Sequence, residues 1–537
     1  MNFLLVAINA KYIHSNPAVY SLRAYADRVY PGVTSIYETT INTPVHTILS
    51  SICDLKPDAI GISTYIWNID AVKKLLSDLP KVLPDIDIWL GGPEVSYHYE
   101  KFFEEYKNVR GIFVGEGESA FTRVVGQYCR AMEIVQDDRD GTKNISKPTL
   151  GKADFSDIPN VALRERPSVI QHELASLDSL PFIYEEDMSD FDHRIVYYES
   201  SRGCPFRCSY CLSSIDKTVR YRSLPFVFKE LQFFFDEDVP LVKFIDRTFN
   251  SDKDRTKAIW NYILEHDNGT TNFHFEIAAE LMDKEEIDIL RKMRPGSAQL
   301  EIGVQTTNQD TLLAINRPSK IHKIEKVVQE LTETKTIPVH LDLIAGLPYE
   351  GYRSFRNSFN DVYALAPTQL ALGFLKVLKG TPIEEDCEKF GIVHSDDTPY
   401  EVLSTRWLRF DELCHLKNME EMVELFYNSH QFDVTMPLLL TAFETAFDMY
   451  STLADFFKKK NYFVMTPARS RRYEILLEFA EEKTMLYEEE VREALTLDYY
   501  LREVPKSRPD FVKNVPAKGR IDTSTRDPLT GNFRLVN

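Results

Sequence analysis

Short apolar segments alternate with amphipathic segments along the first 130 residues, and this alternation constrains the fold more than any other feature. Five apolar runs are predicted as buried strands, at residues 3–8, 33–37, 59–63, 86–90 and 111–114. The stretch 70–79 between two of them places four apolar side chains on one helical face. Continuous apolar strands that alternate with helices are typical of a parallel sheet covered on both faces. We therefore predict a doubly wound, Rossmann-like α/β domain over residues 1–130.

A second alternation follows after a polar, poorly periodic segment at 131–192, which we interpret as a linker with one small hairpin. Six candidate strands lie within 193–375, at residues 195–199, 241–245, 273–277, 298–304, 339–345 and 369–375. Helical segments fit between them, which predicts a partial (β/α)6 barrel of the TIM type. Chemistry in such barrels collects at the carboxyl ends of the strands.

The last third of the chain changes character. Residues 376–505 are rich in Leu, Phe, Glu and Tyr at helical spacing, and they predict an α-helical domain with long helices at 403–424 and 472–501. Residues 506–537 are polar and contain three prolines, which indicates an extended tail.

Three cysteines stand close together just after the first barrel strand. Cys204, Cys208 and Cys211 have the spacing C-x₃-C-x₂-C. A four-iron four-sulfur cube held by three thiolates keeps one iron open for a substrate or cosubstrate. A catalytic zinc with three thiolates and a water is the alternative. The four other cysteines are scattered, which argues against a disulfide framework and for a reducing compartment.

With this triad, residues 195–375 resemble a radical S-adenosylmethionine (radical SAM) domain. The segments 203–211, 244–250, 301–306 and 342–348 match its motifs in order. The resemblance implies a 4Fe-4S cluster on the three cysteines and reductive cleavage of S-adenosylmethionine to a 5′-deoxyadenosyl radical that abstracts a substrate hydrogen. It also implies S-adenosylmethionine contacts at six positions, namely Tyr210, Asp246, Glu276, Glu301, Gln305 and Gly346. For the two glutamates and Gln305, a polar plug inside the barrel is the alternative.

Residues 1–130 resemble the cobalamin-binding domain that precedes the radical SAM domain in one large subclass. Ligands of such sheets bind beyond the carboxyl ends of the strands. The resemblance implies cobalamin contacts at Ser63, Tyr65, Gly91 and Gly92. The D-x-H-x-x-G motif of many such domains is missing, so His14 is either a cobalt ligand or a loop histidine bonded to backbone or water. A degenerate domain that binds no corrin remains an alternative.

Charge and hydropathy limit the classes of partner that we expect for this protein. Asp and Glu number 82 against 63 Lys and Arg, a formal net charge of −19, which argues against a duplex nucleic-acid binder. No run reaches the roughly 18 apolar residues of a membrane span, and the N-terminus lacks a basic region and a cleavage site. We therefore expect a cytoplasmic protein with a small-molecule or peptide substrate and an electron donor such as flavodoxin or ferredoxin.

These features together predict a cobalamin-dependent radical SAM enzyme that methylates an unactivated carbon. A radical rearrangement or cyclisation without methyl transfer is the second possibility. A corrinoid- or cluster-binding protein without turnover is the third. Methylthiolation of tRNA is disfavoured, because it calls for further N-terminal cysteines and a basic RNA-binding module, and neither is evident.

Overall fold

The computed structural model describes residues 1–137, 153–185, 188–215, 218–317, 319–503, 509–512, 520–527 and 529–536. Its first domain is built on one six-stranded sheet. The elements in chain order are β1 Phe3–Asn9, α1 Pro17–Asp27, β2 Thr34–Thr40, α2 Val45–Asp54, β3 Ala59–Ser63, α3 Ile69–Val82, β4 Asp87–Gly91, α4 Tyr99–Glu105, β5 Val109–Phe113, α5 Glu118–Asp137 and β6 Val161–Leu163.

Side chains of β1 alternate between two cores, as a buried parallel strand requires. Phe3 and Leu5 pack on the side of α1 and α5, whereas Leu4 and Val6 pack on the side of α2 and α3. The strand order is β2-β1-β3-β4-β5-β6, and the first five strands are parallel. The order reverses between β1 and β3, so the ligand crevice of such a sheet lies at their carboxyl ends. The predicted doubly wound fold is confirmed.

The segment predicted as a linker takes part in this sheet. Helix α5 continues to Asp137, and β6 pairs antiparallel with β5. Residues 161–163 of the predicted linker are thus part of the sheet, and a strand of three residues leaves almost no periodic signal. The sequence 137–141, with three Asp residues and a Gly, also predicts a solvated turn. Asp137 is instead the last residue of α5, and residues 138–141 lie outside the described residues.

The second domain is an open barrel. Its elements are β7 Val196–Tyr198, β8 Ser201–Arg202, β9 Arg220–Tyr221, α6 Leu224–Asp236, β10 Leu241–Phe244, α7 Lys253–Glu265, β11 Asn272–Ile277, α8 Lys284–Leu290, β12 Ala298–Gln305, α9 Gln309–Ala314, α10 Ile321–Thr332, β13 Val339–Ala345, α11 Tyr352–Tyr363 and β14 Gln369–Phe374. Six parallel strands follow the order β14-β13-β12-β11-β10-β7, so β7 and β14 are the two edges. The predicted partial (β/α)6 barrel is confirmed, and β8 and β9 form a small hairpin beside the cysteine loop.

The third domain is mainly helical. It comprises α12 Pro382–Glu385, α13 Cys387–Phe390, β15 Val393–His394, β16 Val402–Ser404, α14 Phe410–Val423, α15 Thr435–Leu440, α16 Ala446–Lys459, α17 Arg469–Lys483, α18 Glu488–Arg502, β17 Arg520–Arg526 and β18 Phe533–Val536. Three details differ from expectation. The segment contains the β15–β16 hairpin, the first long helix begins only at Phe410, and the second is divided at 484–487 into α17 and α18. Part of the predicted tail forms the β17–β18 hairpin.

Hydrogen bonds and an ion pair join the first domain to the barrel and to the third domain. The backbone of Ile195, at the start of the barrel, donates to the carbonyl of Ile13 in the loop after β1, at 2.8 Å. From the third domain, the Tyr400 hydroxyl donates to Glu94 Oε2 at 2.7 Å, and Lys379 pairs with the same carboxylate at 3.2 Å. The carboxyl ends of both sheets, at Ser63 and Gly91 in the first domain and at Tyr198 and Ile245 in the barrel, line one cavity and so face one another. Within the described residues, no helix is both long and apolar enough to cross a membrane.

Candidate active site

The three clustered cysteines lie on the loop between β8 and β9, at the mouth of the barrel. All three line a cavity of about 190 Å³. Cys208 is buried, and Cys204 and Cys211 are partly exposed. The loop begins at Gly203, whose φ of +100° is left-handed, and a Cβ there would lie 1.9 Å from the carbonyl oxygen of Thr218. Glycine is therefore required for the loop to turn back over the barrel.

Arg317, which our sequence analysis missed, contacts this loop from the turn after α9. Its Nη1 donates to Cys208 Sγ at 3.4 Å, and its Nη2 donates to the carbonyl of Gly303 at 2.6 Å. Burial raises the pKa of the Cys208 thiol, Arg317 lowers it, and the two other cysteines raise it further. The three sulfur atoms thus lie close enough to repel one another as thiolates. A cationic metal cluster relieves that repulsion, so the triad fits the group.

Strand ends of the barrel supply an acidic wall to the same cavity. Glu276 from β11, Glu301 from β12 and Asp342 from β13 line it together. Glu301 Oε2 accepts a hydrogen bond from His274 Nε2 at 2.8 Å, which lowers the pKa of Glu301 to about 2. Burial raises the pKa of Glu276, and it raises that of Asp342 to about 7 with help from Glu301 and Glu276. A wall of crowded carboxyl groups favours a ligand that carries positive charge, and S-adenosylmethionine has a sulfonium and an ammonium group.

Two further predicted residues complete this wall. Tyr210 lines the cavity from the cysteine loop, and Gln305 lines it from the end of β12. Gln305 has a φ of +69° at a register shift between β12 and β13, a bulge that re-aims its side chain. Its Oε1 is buried without a partner among the described residues. A buried acceptor without a partner is costly unless a ligand donates to it, so Gln305 also fits a bound amine or hydroxyl.

The other two residues predicted to contact S-adenosylmethionine do not line the cavity. Asp246 is buried, and it accepts hydrogen bonds from the Ser200 amide at 2.8 Å and the hydroxyls of Ser200 and Ser201 at 2.6 and 2.7 Å. It therefore anchors the start of the cysteine loop, and burial raises its pKa to about 6. Gly346 has a φ of +89°, and a Cβ there would lie 2.6 Å from Val402. Direct contact of either residue with S-adenosylmethionine stays a prediction.

A larger cavity of about 1190 Å³ lies between the first domain and the barrel. The predicted residues Ser63, Tyr65, Gly91 and Gly92 all line it. Gly92 has a φ of +116°, and a Cβ there would lie 2.3 Å from the carbonyl oxygen of Thr64. The cavity is lined by more apolar than polar surface, and bare backbone at these strand ends lets a bulky, mostly neutral ligand approach closely. These features fit a corrin.

His14, for which cobalt ligation and a loop role are the two alternatives, is held outside the larger cavity. Its Nδ1 shares a hydrogen bond of 2.6 Å with the Tyr197 hydroxyl, and burial lowers its pKa. His14 does not line the larger cavity, whereas Tyr197 does. The histidine thus joins the loop after β1 to the first strand of the barrel. Cobalt ligation by His14 stays a prediction. The contact with Tyr197 is of the kind expected under the alternative, in which His14 is a loop histidine.

An ion-pair cluster that we did not predict as functional borders the larger cavity. Arg202, the residue before Gly203, pairs with Glu118 at 2.9 Å, with Glu199 at 2.7 Å and with Glu116 at 3.4 Å. Although burial opposes it, Arg202 holds the pKa of Glu118 below its ordinary value. Two of these carboxylates belong to the first domain, so the cluster fixes the cysteine loop relative to the strand ends of the other sheet.

The two cavities adjoin. Arg247, which follows the anchoring Asp246, and Ser213, which follows the cysteine triad, line both of them. Tyr65 approaches this junction from the first domain and stacks on Trp67 with ring centroids 4.3 Å apart. A ligand in one cavity therefore lies next to a ligand in the other.

Comparison with known families assigns each part of the chain. Residues 4–125 match the B12 binding domain, residues 198–362 match the radical SAM superfamily, and residues 388–527 match the "protein of unknown function (DUF4080)" family. The third match covers most of the predicted helical domain together with part of the tail. A radical SAM domain binds a 4Fe-4S cluster and S-adenosylmethionine, which decides against the zinc alternative.

Two curated relatives are methyltransferases by name. The chain is 23% identical over 398 residues to the cobalamin-dependent radical SAM methyltransferase TokK of Streptomyces tokunonensis, covering 69% of this chain and 55% of TokK. It is 23% identical over 357 residues to the 2-(S-pantetheinyl)-carbapenam-3-carboxylate methyltransferase of Streptantibioticus cattleyicolor, covering 64% and 50%. The chain thus spans about half the length of these relatives.

Solved structures share the fold. The cobalamin-dependent S-adenosylmethionine radical enzyme OxsB superposes with a TM-score of 0.60 at 14% identity, covering 93% of this chain and 78% of OxsB. The radical S-adenosylmethionine methyltransferase TsrM of Kitasatospora setae superposes with a TM-score of 0.58 at 15% identity, covering 73% and 77%. The chain is therefore a cobalamin-binding-domain radical SAM protein, with a B12-binding domain, a radical SAM barrel and a C-terminal DUF4080 domain in that order.

Proposed function

We propose that this protein is a cobalamin-dependent radical SAM methyltransferase that acts on an unactivated carbon of a small molecule. The observation that carries the proposal is the shared wall of the two cavities at Arg247 and Ser213. A methyl donor in the larger cavity and a radical source in the smaller one would both reach a substrate at this junction. TokK and the carbapenam methyltransferase, which match the chain over most of its length, are named for the same reaction type.

The cofactors supply the reactive species when bound: the cluster and S-adenosylmethionine a carbon-centred radical, and cobalamin a transferable methyl group. The protein's own residues bind and orient. Cys204, Cys208 and Cys211 would hold the cluster. Glu276 and Asp342 would face the positive charges of S-adenosylmethionine, because their carboxyl groups lie on its cavity wall with raised pKa values.

We further propose a cytoplasmic location and an electron donor of the flavodoxin or ferredoxin type. The cluster would need one electron for each radical formed, and a reducing compartment keeps the triad as thiolates.

A test without the natural substrate uses the reconstituted holoprotein, a reductant and methyl-labelled S-adenosylmethionine. We expect 5′-deoxyadenosine in solution and labelled methyl in the corrinoid fraction. Formation of 5′-deoxyadenosine with no label in the corrinoid would favour rearrangement or cyclisation. Absence of both products from a protein loaded with cluster and cobalamin would favour a binding protein without turnover.

A further inference from the structure

Arg247 lies at the junction of the two cavities, and within the described residues its guanidinium does not hold other parts of the fold in place. The residue is exposed, and it lines both cavities. Within the described part of the chain, its guanidinium forms no hydrogen bond or ion pair, although its charge is felt by Tyr65 on one side and Glu276 on the other. Burial raises the pKa of Glu276 in spite of Arg247. A direct salt bridge would lower that pKa, so the two groups are not paired.

The other arginines of the cavity walls are occupied. Arg202 pairs with Glu118 and Glu199, and Arg317 contacts Cys208 and the carbonyl of Gly303. In the larger cavity, Arg222 Nε donates to Glu230 Oε2 at 2.8 Å. Among the described arginines that line the two cavities, Arg247 is thus the one whose guanidinium N–H groups are available to a ligand.

Its backbone is held on both sides. Asp246 is fixed by the hydrogen bonds from Ser200 and Ser201, and the Thr248 hydroxyl lies 3.4 Å from Cys204 Sγ. The position of Arg247 relative to the cysteine triad is therefore set by the same contacts that set the cysteine loop. A ligand bound to Arg247 has a defined distance to the cluster cavity.

From this placement we propose that Arg247 binds a carboxylate or phosphate group of the substrate, which makes the substrate class an anionic small molecule. The inference rests on the proposed function, because it places the acceptor between the two cofactors. A guanidinium matches carboxylate and phosphate oxygens with two parallel hydrogen bonds. The other arginines of the walls are already paired, and the carboxyl groups of Glu276 and Asp342 in the smaller cavity offer an anion no opposite charge. The anionic group therefore has one favourable position at the junction, which orients the rest of the substrate.

Chemical modification tests the anion site without turnover. Phenylglyoxal, which reacts with accessible guanidiniums, is applied to the holoprotein loaded with cobalamin and S-adenosylmethionine, and the modification of each arginine is followed by peptide mass mapping. We expect Arg247 to react, and acetate or inorganic phosphate to slow its reaction severalfold while neutral acetamide does not. Arg353, an exposed arginine on α11 that lines neither cavity, is the control and should not be protected. An Arg247 already blocked in the holoprotein, or not protected by either anion, would overturn the proposal.

A second arm follows the substrate itself. The holoprotein is incubated with methyl-labelled S-adenosylmethionine and a small-molecule extract, and labelled products are separated by anion exchange. We expect anionic products whose yield falls about thirty-fold or more in Arg247→Gln, less in Arg247→Lys, and not in Arg353→Gln. The 5′-deoxyadenosine that Arg353→Gln forms without substrate should match the wild type.

The two arms separate the inference from the function on which it rests. Neutral labelled products, or unchanged labelling by Arg247→Gln, would overturn the role of Arg247 and leave methyl transfer intact. Absence of 5′-deoxyadenosine and of label in the wild type would count against the proposed function, and the protection of Arg247 by anions would still decide the inference.

Discussion

The two adjoining cavities are built from different parts of the chain. The smaller one is walled by charged and polar side chains, such as Glu301 held by His274 and Cys208 held by Arg317. The larger one is bounded by strand ends at which Gly91 and Gly92 carry no side chain, so that the backbone itself lines the cavity. Charged reactive ligands need fixed dipoles for orientation, whereas a bulky cofactor with little net charge needs space and shape. Substitutions should therefore act through electrostatics in the first cavity and through sterics in the second.

The largest effect is expected at the cysteine triad. Cys208→Ala should reduce iron from about four per reconstituted chain to a small residue, and it should abolish 5′-deoxyadenosine formation, because two thiolates do not retain the cluster. Iron analysis and the optical spectrum measure the loss. Cys414→Ala, which removes a thiol of α14 far along the chain, should keep both signals. A Cys208→Ala protein that retained the cluster would refute the assignment of the smaller cavity.

Substitution of Arg202 tests whether its ion pairs hold the cysteine loop against the first domain. Arg202→Gln leaves the buried Glu118 without its cation, and removing one partner of a buried pair costs about 3 kcal/mol in the free energy of unfolding. Arg123→Gln breaks the pair of Arg123 with Glu173 on the surface, which is worth less than about 1 kcal/mol. Urea unfolding compares the variants. Equal losses would mean that the ion cluster does not hold the cysteine loop against the first domain.

Gly92 tests the steric character of the larger cavity. In Gly92→Ala the new methyl would meet the Thr64 carbonyl oxygen at 2.3 Å, so the ends of β3 and β4 must separate, at a cost of about 2 kcal/mol. Affinity for hydroxocobalamin in equilibrium dialysis should fall in parallel. Gly115→Ala is the control. Gly115 also has a positive φ, of +82°, but a methyl group there would meet no atom within 4 Å. It should lose only about 1 kcal/mol. The same loss in both variants would remove the steric argument.

The sequence was sufficient to predict what depends on local pattern. Apolar runs located the strands of both sheets, and the strand-end rule together with the family resemblance placed Glu276 and Gly92 at ligand edges. It was not sufficient for contacts that form only when distant segments meet. Arg317 lies 109 positions from Cys208, and Arg202 lies 84 positions from Glu118. An arginine among polar neighbours carries no periodic signal, so its role appears only when the fold supplies its partner.

The smallest effect is a pH dependence confined to the smaller cavity. The pKa of Asp342 is raised from 3.8 to about 7, so the folded protein retains a proton there that the unfolded chain releases. The cations of S-adenosylmethionine favour the carboxylate, so binding lowers the pKa of Asp342 and releases part of that proton below about pH 7. Affinity of the cluster-loaded protein should therefore rise by about tenfold or less between about pH 5 and about pH 8. Glu301 does not contribute in this range, because its pKa is about 2.

Asp342→Asn removes the titrating group while keeping its size. Its affinity for S-adenosylmethionine should vary less with pH and should be weaker than that of the wild type at about pH 8. Equilibrium dialysis at several pH values measures both. The ligand-free wild type should also lose stability as pH rises from about 4 to about 7, because the folded state binds the extra proton in that window. Asp342→Asn should lose less, since the raised pKa values of Asp246, Glu350 and Asp498 remain. A variant with the wild-type slope would show that the proton is held elsewhere on the acidic wall, with Glu276 as the next group to substitute, since its pKa is raised by the same burial.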